Sequence, residues 1–247
     1  MNIWKSKMNI ISIVLIMACL SSACTIQKQN LTQTDSTKAY KNAIKDAENA
    51  EPHEISRNLV AIVPANNKLM WKKKGGDQET SLLVVTWTNY NGYDDKIGQR
   101  VEVAREIWVT TVPEVRNFCK NLKANKTLRL EQLLGLPPNA GKTKFVEMWV
   151  KPKDMFRPSA DPEISDSEAE IDFRIPNDFV KISDDYIKWF NNLKMNSYGN
   201  EGYPWTRLGY TYDWGNDDNH VGLSEFVIIK GSTIEINSIS SESQYCQ

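Results

Sequence analysis

The chain has 247 residues, with 30 basic and 31 acidic side chains and a formal net charge of −1. That balance leaves no basic excess for phosphates, so nucleic-acid binding has no electrostatic support. With two His and four Cys, a zinc site would need carboxylates almost throughout, and the spacings CxxC, H-E-x-x-H and G-x-S-x-G do not occur.

Lys5 and Lys7 precede the apolar run MNIISIVLIMACL, Met8 to Leu20. It falls short of the roughly 20 apolar residues of a spanning helix and reads as the core of an export signal. LSSAC follows, ending at Cys24. It resembles the lipobox of bacterial lipoproteins, with Ser21 where Leu is usual; IMAC, ending at Cys19, is the competing match. The resemblance implies loss of residues 1–23 as a signal peptide and a diacylglycerol on Cys24. The mature protein would then be membrane-anchored and extracytoplasmic, with the lipid bilayer as partner. Thr25, rather than Asp, implies the outer membrane in a Gram-negative host. Two acyl chains, at about 0.8 kcal/mol per buried CH₂, hold a domain stably where one does not.

Residues 24–57 are polar and poor in aromatics, a composition that reads as a flexible tether with a fraying helix between Ala39 and Ala50 and a solvated His53. From residue 58 to 247 the chain reads as one globular domain, roughly 190 residues that a single core can support. SLLVVTWTNY, Ser81 to Tyr90, is a β-branched and aromatic central strand. REIWVTTV, KFVEMWV, TRLGYTYDW and LSEFVII also read as strands, several with apolar and polar positions alternating as in half-buried ones. FVIIKGSTIEINSI reads as a hairpin turning at Lys230-Gly231. Three short helices separate these strands. Thr111 with Glu114 and Pro113 starts PEVRNFCKNLK; LRLEQLLG stops at Gly135; Ser183 caps DDYIKWFNNLKM. The expected class is α+β, with about six strands in a mixed or largely antiparallel sheet and no regular βαβ period. The acidic, proline-rich segment from Pro152 to Pro176 is long enough for a binding loop.

Cys119 and Cys246 remain after the signal. An oxidising compartment and an even count allow them to pair. The chain-end position of Cys246 and the helical setting of Cys119 weigh toward a free, buried Cys119.

The chemistry-bearing stretch is PWTRLGYTYDWGNDDNHVGLSEF, Pro204 to Phe226. Tyr210, Tyr212 and Trp214 alternate onto one strand face, most often a core arrangement. On an exposed face, aromatic planes beside Asp, Glu and Arg suit a saccharide or peptide ligand, with Trp205 and Arg207 as binding candidates. On the opposite alternation, Asp213 and Glu225 would face each other, the paired carboxylates that acid–base hydrolysis uses, with His220 and Arg207 as further catalytic candidates. An Arg207–Glu225 ion pair is the simpler structural alternative. DWGNDDNH is rich in oxygen ligands, but its spacing departs from the calcium-loop pattern and turn chemistry accounts for it. No metal or cofactor is expected. GLPPNAGKT lacks P-loop spacing.

VVTWTNY, WVTTVPEV, RLEQLLGLPP, FVEMWVKPKDMFRP and the stretch from Pro204 together resemble an uncharacterised family of bacterial proteins. The likeness runs from Leu82 to Ile229. It implies one globular bacterial domain and carries no activity to any residue. The expectation is a lipoprotein that binds an envelope or extracellular ligand through the surface from Tyr203 to Glu225 and the 152–176 loop. An extracytoplasmic hydrolase and a structural envelope protein are the alternatives. A concave pocket with convergent polar groups separates the first two from the third. A carboxylate of raised pKa within it speaks for the hydrolase.

Overall fold

The computed structural model describes residues 34–72, 80–174 and 182–247; the lipobox and the tether up to residue 33 lie outside them. The protein is α+β, with one largely antiparallel open sheet of nine strands and five helices among the described residues. The sequence pattern misses three strands, each two or three residues long: β1 (Trp71–Lys72), β3 (Arg100–Glu102) and β6 (Met155–Phe156). β7 (Tyr210–Tyr212) and β8 (Val221–Ile228) form at two of the expected strands. The longer strands are β2 (Ser81–Thr88), β4 (Ile107–Thr111), β5 (Lys144–Val150) and β9 (Thr233–Ser241). Their order is β3-β9-β5-β2-β4-β8-β6, with β1 on β2 and β7 on β8.

β2 is buried on both faces, which is why its sequence is a nearly unbroken apolar run. Leu82 and Val84 join Val146, Met148, Phe226, Ile228, Ile234 and Ile236 on one face. Leu83, Val85 and Trp87 join Phe145 on the other, under helices α2 (Val112–Lys120), α3 (Lys126–Leu133) and α5 (Glu242–Tyr245).

The hairpin expected at Lys230-Gly231 does not form. The turn is present, with Gly231 at φ +86° and Ser232 N–H donating to Ile229 O, but β8 pairs with β4, β6 and β7, and β9 with β3 and β5. Five Cα steps from Ile228 to Thr233 reach at most about 18 Å. Four strand spacings of a flat sheet need about 19 Å before any offset along the strands. The sheet therefore curls, and the apolar cluster that unites Phe226 and Ile228 with Ile234 and Ile236 fills its concave side.

Residues 34–57 are not a tether. Residues 34–47 form helix α1, whose Tyr40, Ala43, Ile44 and Ala47 are buried against Tyr212 and Trp214. The stripe runs i, i+3, i+4, i+7, and two of its four members are alanines, which lowers its hydrophobic signal in the sequence. The chain stays docked afterwards: Tyr210 Oη donates to Glu54 O, and Leu59 N–H donates to Ser167 O. Helix α4 (Asp184–Ser197) starts as expected, with Ser183 accepting from Tyr186 N–H. At α2, however, Thr111 Oγ1 donates to Glu114 Oε2 at 2.7 Å instead of capping a backbone amide.

Cys119 and Cys246 form a disulfide, against the weight given to a free thiol. The terminal residues are not frayed, because Ser241 and Gln244 form a capping box around α5 and Tyr245 stacks on Phe145 at 4.2 Å. The bond spans 127 positions, so it removes much of the unfolded chain's freedom. Reduction, or the double variant Cys119→Ser/Cys246→Ser, should lower stability by about 2–5 kcal/mol. Guanidinium midpoints with and without reductant measure it, and coincident midpoints would contradict a stabilising role.

Candidate functional site

Trp205, Tyr210, Tyr212 and Trp214 are all buried. A register shift between Tyr210 and Tyr212 breaks the simple alternation, so Tyr210 packs with Leu59 and Leu208, while Tyr212 and Trp214 receive α1. The polar ends are spent inside the protein. Tyr212 Oη donates to Asp46 Oδ2, Trp214 Nε1 to Leu136 O, and Trp205 Nε1 to Pro158 O. This ladder is core, and Asp217, Asp218 and Asn219 lie in the exposed turn beyond it.

The proposed catalytic set is not assembled. Asp213 N–H pairs with His220 O and Glu225 N–H with Gly209 O, so four residues, roughly 13 Å of strand, separate the two carboxylates. Asp213 receives both arms of Arg129, at 2.8 and 2.6 Å. His220 stacks on Tyr212 at 4.6 Å. Arg207 does not pair with Glu225. It adopts φ +60°, lies over the Tyr198 ring, and donates to Glu48 O at 2.9 Å and Ala47 O at 3.5 Å. A guanidinium on the last carbonyls of a helix satisfies orphan acceptors and complements the helix dipole. Arg207 therefore docks α1 and does not line the cleft described below.

The site the structure does form is a cleft of about 990 Å³. Cross-strand register sets Val85, Thr110 and Glu225 side by side as its floor. One wall comes from the turn after α3, Leu134 to Leu136, where Gly135 takes φ +62° and backs onto the Tyr212 backbone. Glu131 secures the loop beyond it by accepting from Asn139 and Ala140 N–H. The other wall is Tyr203, Pro204 and Trp205, with Leu193 and Ser197 of α4. Trp108 meets Trp205 edge to face at 6.3 Å and is 37% exposed, so a ring reaches solvent at the mouth. Asn89, Tyr90, Arg105, Glu106 and Lys142 form the rim. Pro152–Arg174 contributes nothing to the lining among the described residues. That segment instead wraps the buried Arg157.

Glu225 is the unusual member. Its side chain is almost wholly buried, at 8% exposure, and has no hydrogen-bond or ion-pair partner among the described residues. Desolvation alone pushes its pKa up to about 8, from the usual 4.5. Trp87, also a lining residue, holds a buried indole N–H without a partner. Sequence reasoning named Tyr203, Trp205 and Glu225 but missed Trp108 and Thr110 as cleft residues, because only strand register brings β4 beside β8. Among the described residues no cluster of three His, Cys, Asp or Glu has the geometry of a metal site. Comparison with protein-family models, curated proteins and solved structures returns no match.

The Glu225 pKa is raised on folding, so between about 4.5 and 8 the folded chain holds a proton that the unfolded chain gives up. Its contribution is full below about pH 4.5 and is lost as pH rises toward 8. Glu225→Gln should therefore gain stability relative to the parent as the pH is raised through that window. Denaturation midpoints of both proteins across the window measure this, and a constant difference between them would contradict it.

Proposed function

We propose that the protein is a membrane-anchored bacterial lipoprotein that binds an envelope or extracellular ligand in the cleft over β2, β4 and β8. The observation that carries the reading is an aromatic-walled cleft with a buried, partnerless carboxyl on its floor. Ligand sites are concave and mostly apolar, with a few placed polar groups, and this cleft has that composition. Leaving Glu225 unpaired costs stability, a cost that a purely structural envelope protein would have no reason to carry.

A hydrolytic reading gains the raised Glu225 but loses its second carboxylate. Asp213 is held by Arg129, and Glu106 on the rim lies just before β4, four residues from Thr110, the neighbour of Glu225. Binding is the reading with fewer missing parts. The lipid anchor is supported by the sequence around Cys24, and an extracytoplasmic location is in keeping with the Cys119–Cys246 bond.

Two experiments test the proposal. Cys24→Ser should abolish palmitate labelling and membrane retention; labelling at the parental level would transfer the lipid to Cys19. Tryptophan emission of the lipid-free protein should respond saturably to at least one of two probe panels, N-acetylglucosamine oligosaccharides or short peptides with free N-termini. Trp108→Ala should lose that response. Silence with both panels and with choline would sink the binding reading.

A further inference from the structure

Glu225 lacks what buried acids normally have. The other buried carboxylates among the described residues are each served: Glu147 by Arg116, Asn237 and Ser238, Glu131 by two backbone amides, Asp213 by Arg129, and Asp161 by Arg174 and the Glu163 N–H. Arg207, two residues before the Gly209 whose carbonyl accepts from Glu225 N–H, is committed to the end of α1. The fold thus places an acid at the base of an open cleft, and among the described residues neither a cation nor a donor is bonded to it. The cleft is also lined by the rings of Trp108, Trp205 and Tyr203, and the π face of such a ring attracts positive charge.

We infer that the cleft takes the ammonium or quaternary ammonium group of a small organic cation, with Glu225 as its counter-ion and Trp108 and Trp205 as its aromatic walls. The inference rests on the ligand-binding reading and deepens it by naming the ligand's chemistry. The cation completes the pair the fold leaves open, and the desolvated cleft makes that pair stronger than it would be in water. A cleft of about 990 Å³ has room for a body larger than the charged group alone. The other charged and titratable groups around Glu225 are Tyr198 at the end of α4, the lining residues Tyr93, Tyr203 and Tyr212, and the rim residues Tyr90, Arg105, Glu106 and Lys142. Tyr198 and Tyr212 are held neutral by burial, which raises both hydroxyls above their ordinary value.

Binding must expel the Glu225 proton wherever the free protein holds it, since a cation pairs with the carboxylate. The test uses choline and its neutral isostere 3,3-dimethylbutan-1-ol, titrated calorimetrically into the protein in buffers of different ionisation enthalpy. Choline should bind about tenfold tighter than the isostere. It should release close to one proton below the Glu225 pKa and none well above it, and tighten as pH rises through that value. Glu225→Gln should lose both the preference and the release, and Trp108→Leu, at a half-exposed position, should weaken choline alone. Equal binding of the isostere, or choline binding without proton release by the parent protein, overturns the inference. Oligosaccharide binding without choline binding overturns it while leaving the binding reading intact; no binding of any probe removes both.

Discussion

The guanidinium of Arg157 is the interaction on which the architecture around the cleft depends. It is fully buried, and it donates to Asp166 Oδ1, Asp166 O, Glu168 O and Val60 O, so one side chain gathers the acidic loop and the strand-like entry to the domain. The loop's backbone then serves the other side: Tyr186 Oη donates to Arg157 O and Ser159 O, and Trp205 donates to Pro158 O. Gly209 lies so close that a Cβ there would meet Arg157 Cδ at 2.5 Å. The proline-rich segment is therefore a bracket around one charge. Through Tyr186 and Trp205, together with the ring contacts of Trp189 and Phe190, it fixes the wall that stands over β4 and β8. A buried arginine held this way is costly to disturb, because removing one partner strands a charge.

That wall explains why a cleft exists. Both faces of the sheet are apolar and must be covered. The concave face is closed by the chain's own aliphatic cluster. On the convex face, α2, α3 and α5 cover β2 and β5, the α4–Trp205 layer rises beyond β8, and the strip between them carries Thr110 and Glu225. The disulfide and the α5 cap hold the first group of helices, and Arg157 holds the second. Each side is anchored independently, so the gap between them is maintained by two separate sets of contacts.

Local signals in the sequence were legible and partner choice was not. The unbroken apolar run of β2, the Ser183 cap and the buried aromatics from Trp205 to Trp214 follow from propensity and burial alone. The choice between Arg129 and Glu225 as neighbour of Asp213 depends on α3, 84 positions away, and alternation says nothing about it. Arg207 finds helix α1 across 159 positions. The Lys230-Gly231 turn has hairpin chemistry, yet sheet curvature sends its flanking strands to different neighbours. Helix α1 was expected only as a fraying helix between Ala39 and Ala50, and its docking was missed: Tyr40, Ala43, Ile44 and Ala47 carry helical spacing, but alanines contribute little to a hydrophobic count.

The docking of α1 sets a length. With the proposed lipid on Cys24, ten Cα steps separate the anchor from residue 34, a reach of at most roughly 36 Å. A domain on a free tether to residue 57 would have more than three times that span. Because Arg207, Tyr212 and Trp214 hold α1 down, the proposed anchor would keep residue 34, and with it the docked domain, within that reach of the bilayer. Encounters of the cleft would then be drawn from molecules at or near the lipid surface rather than from the full depth of the surrounding compartment.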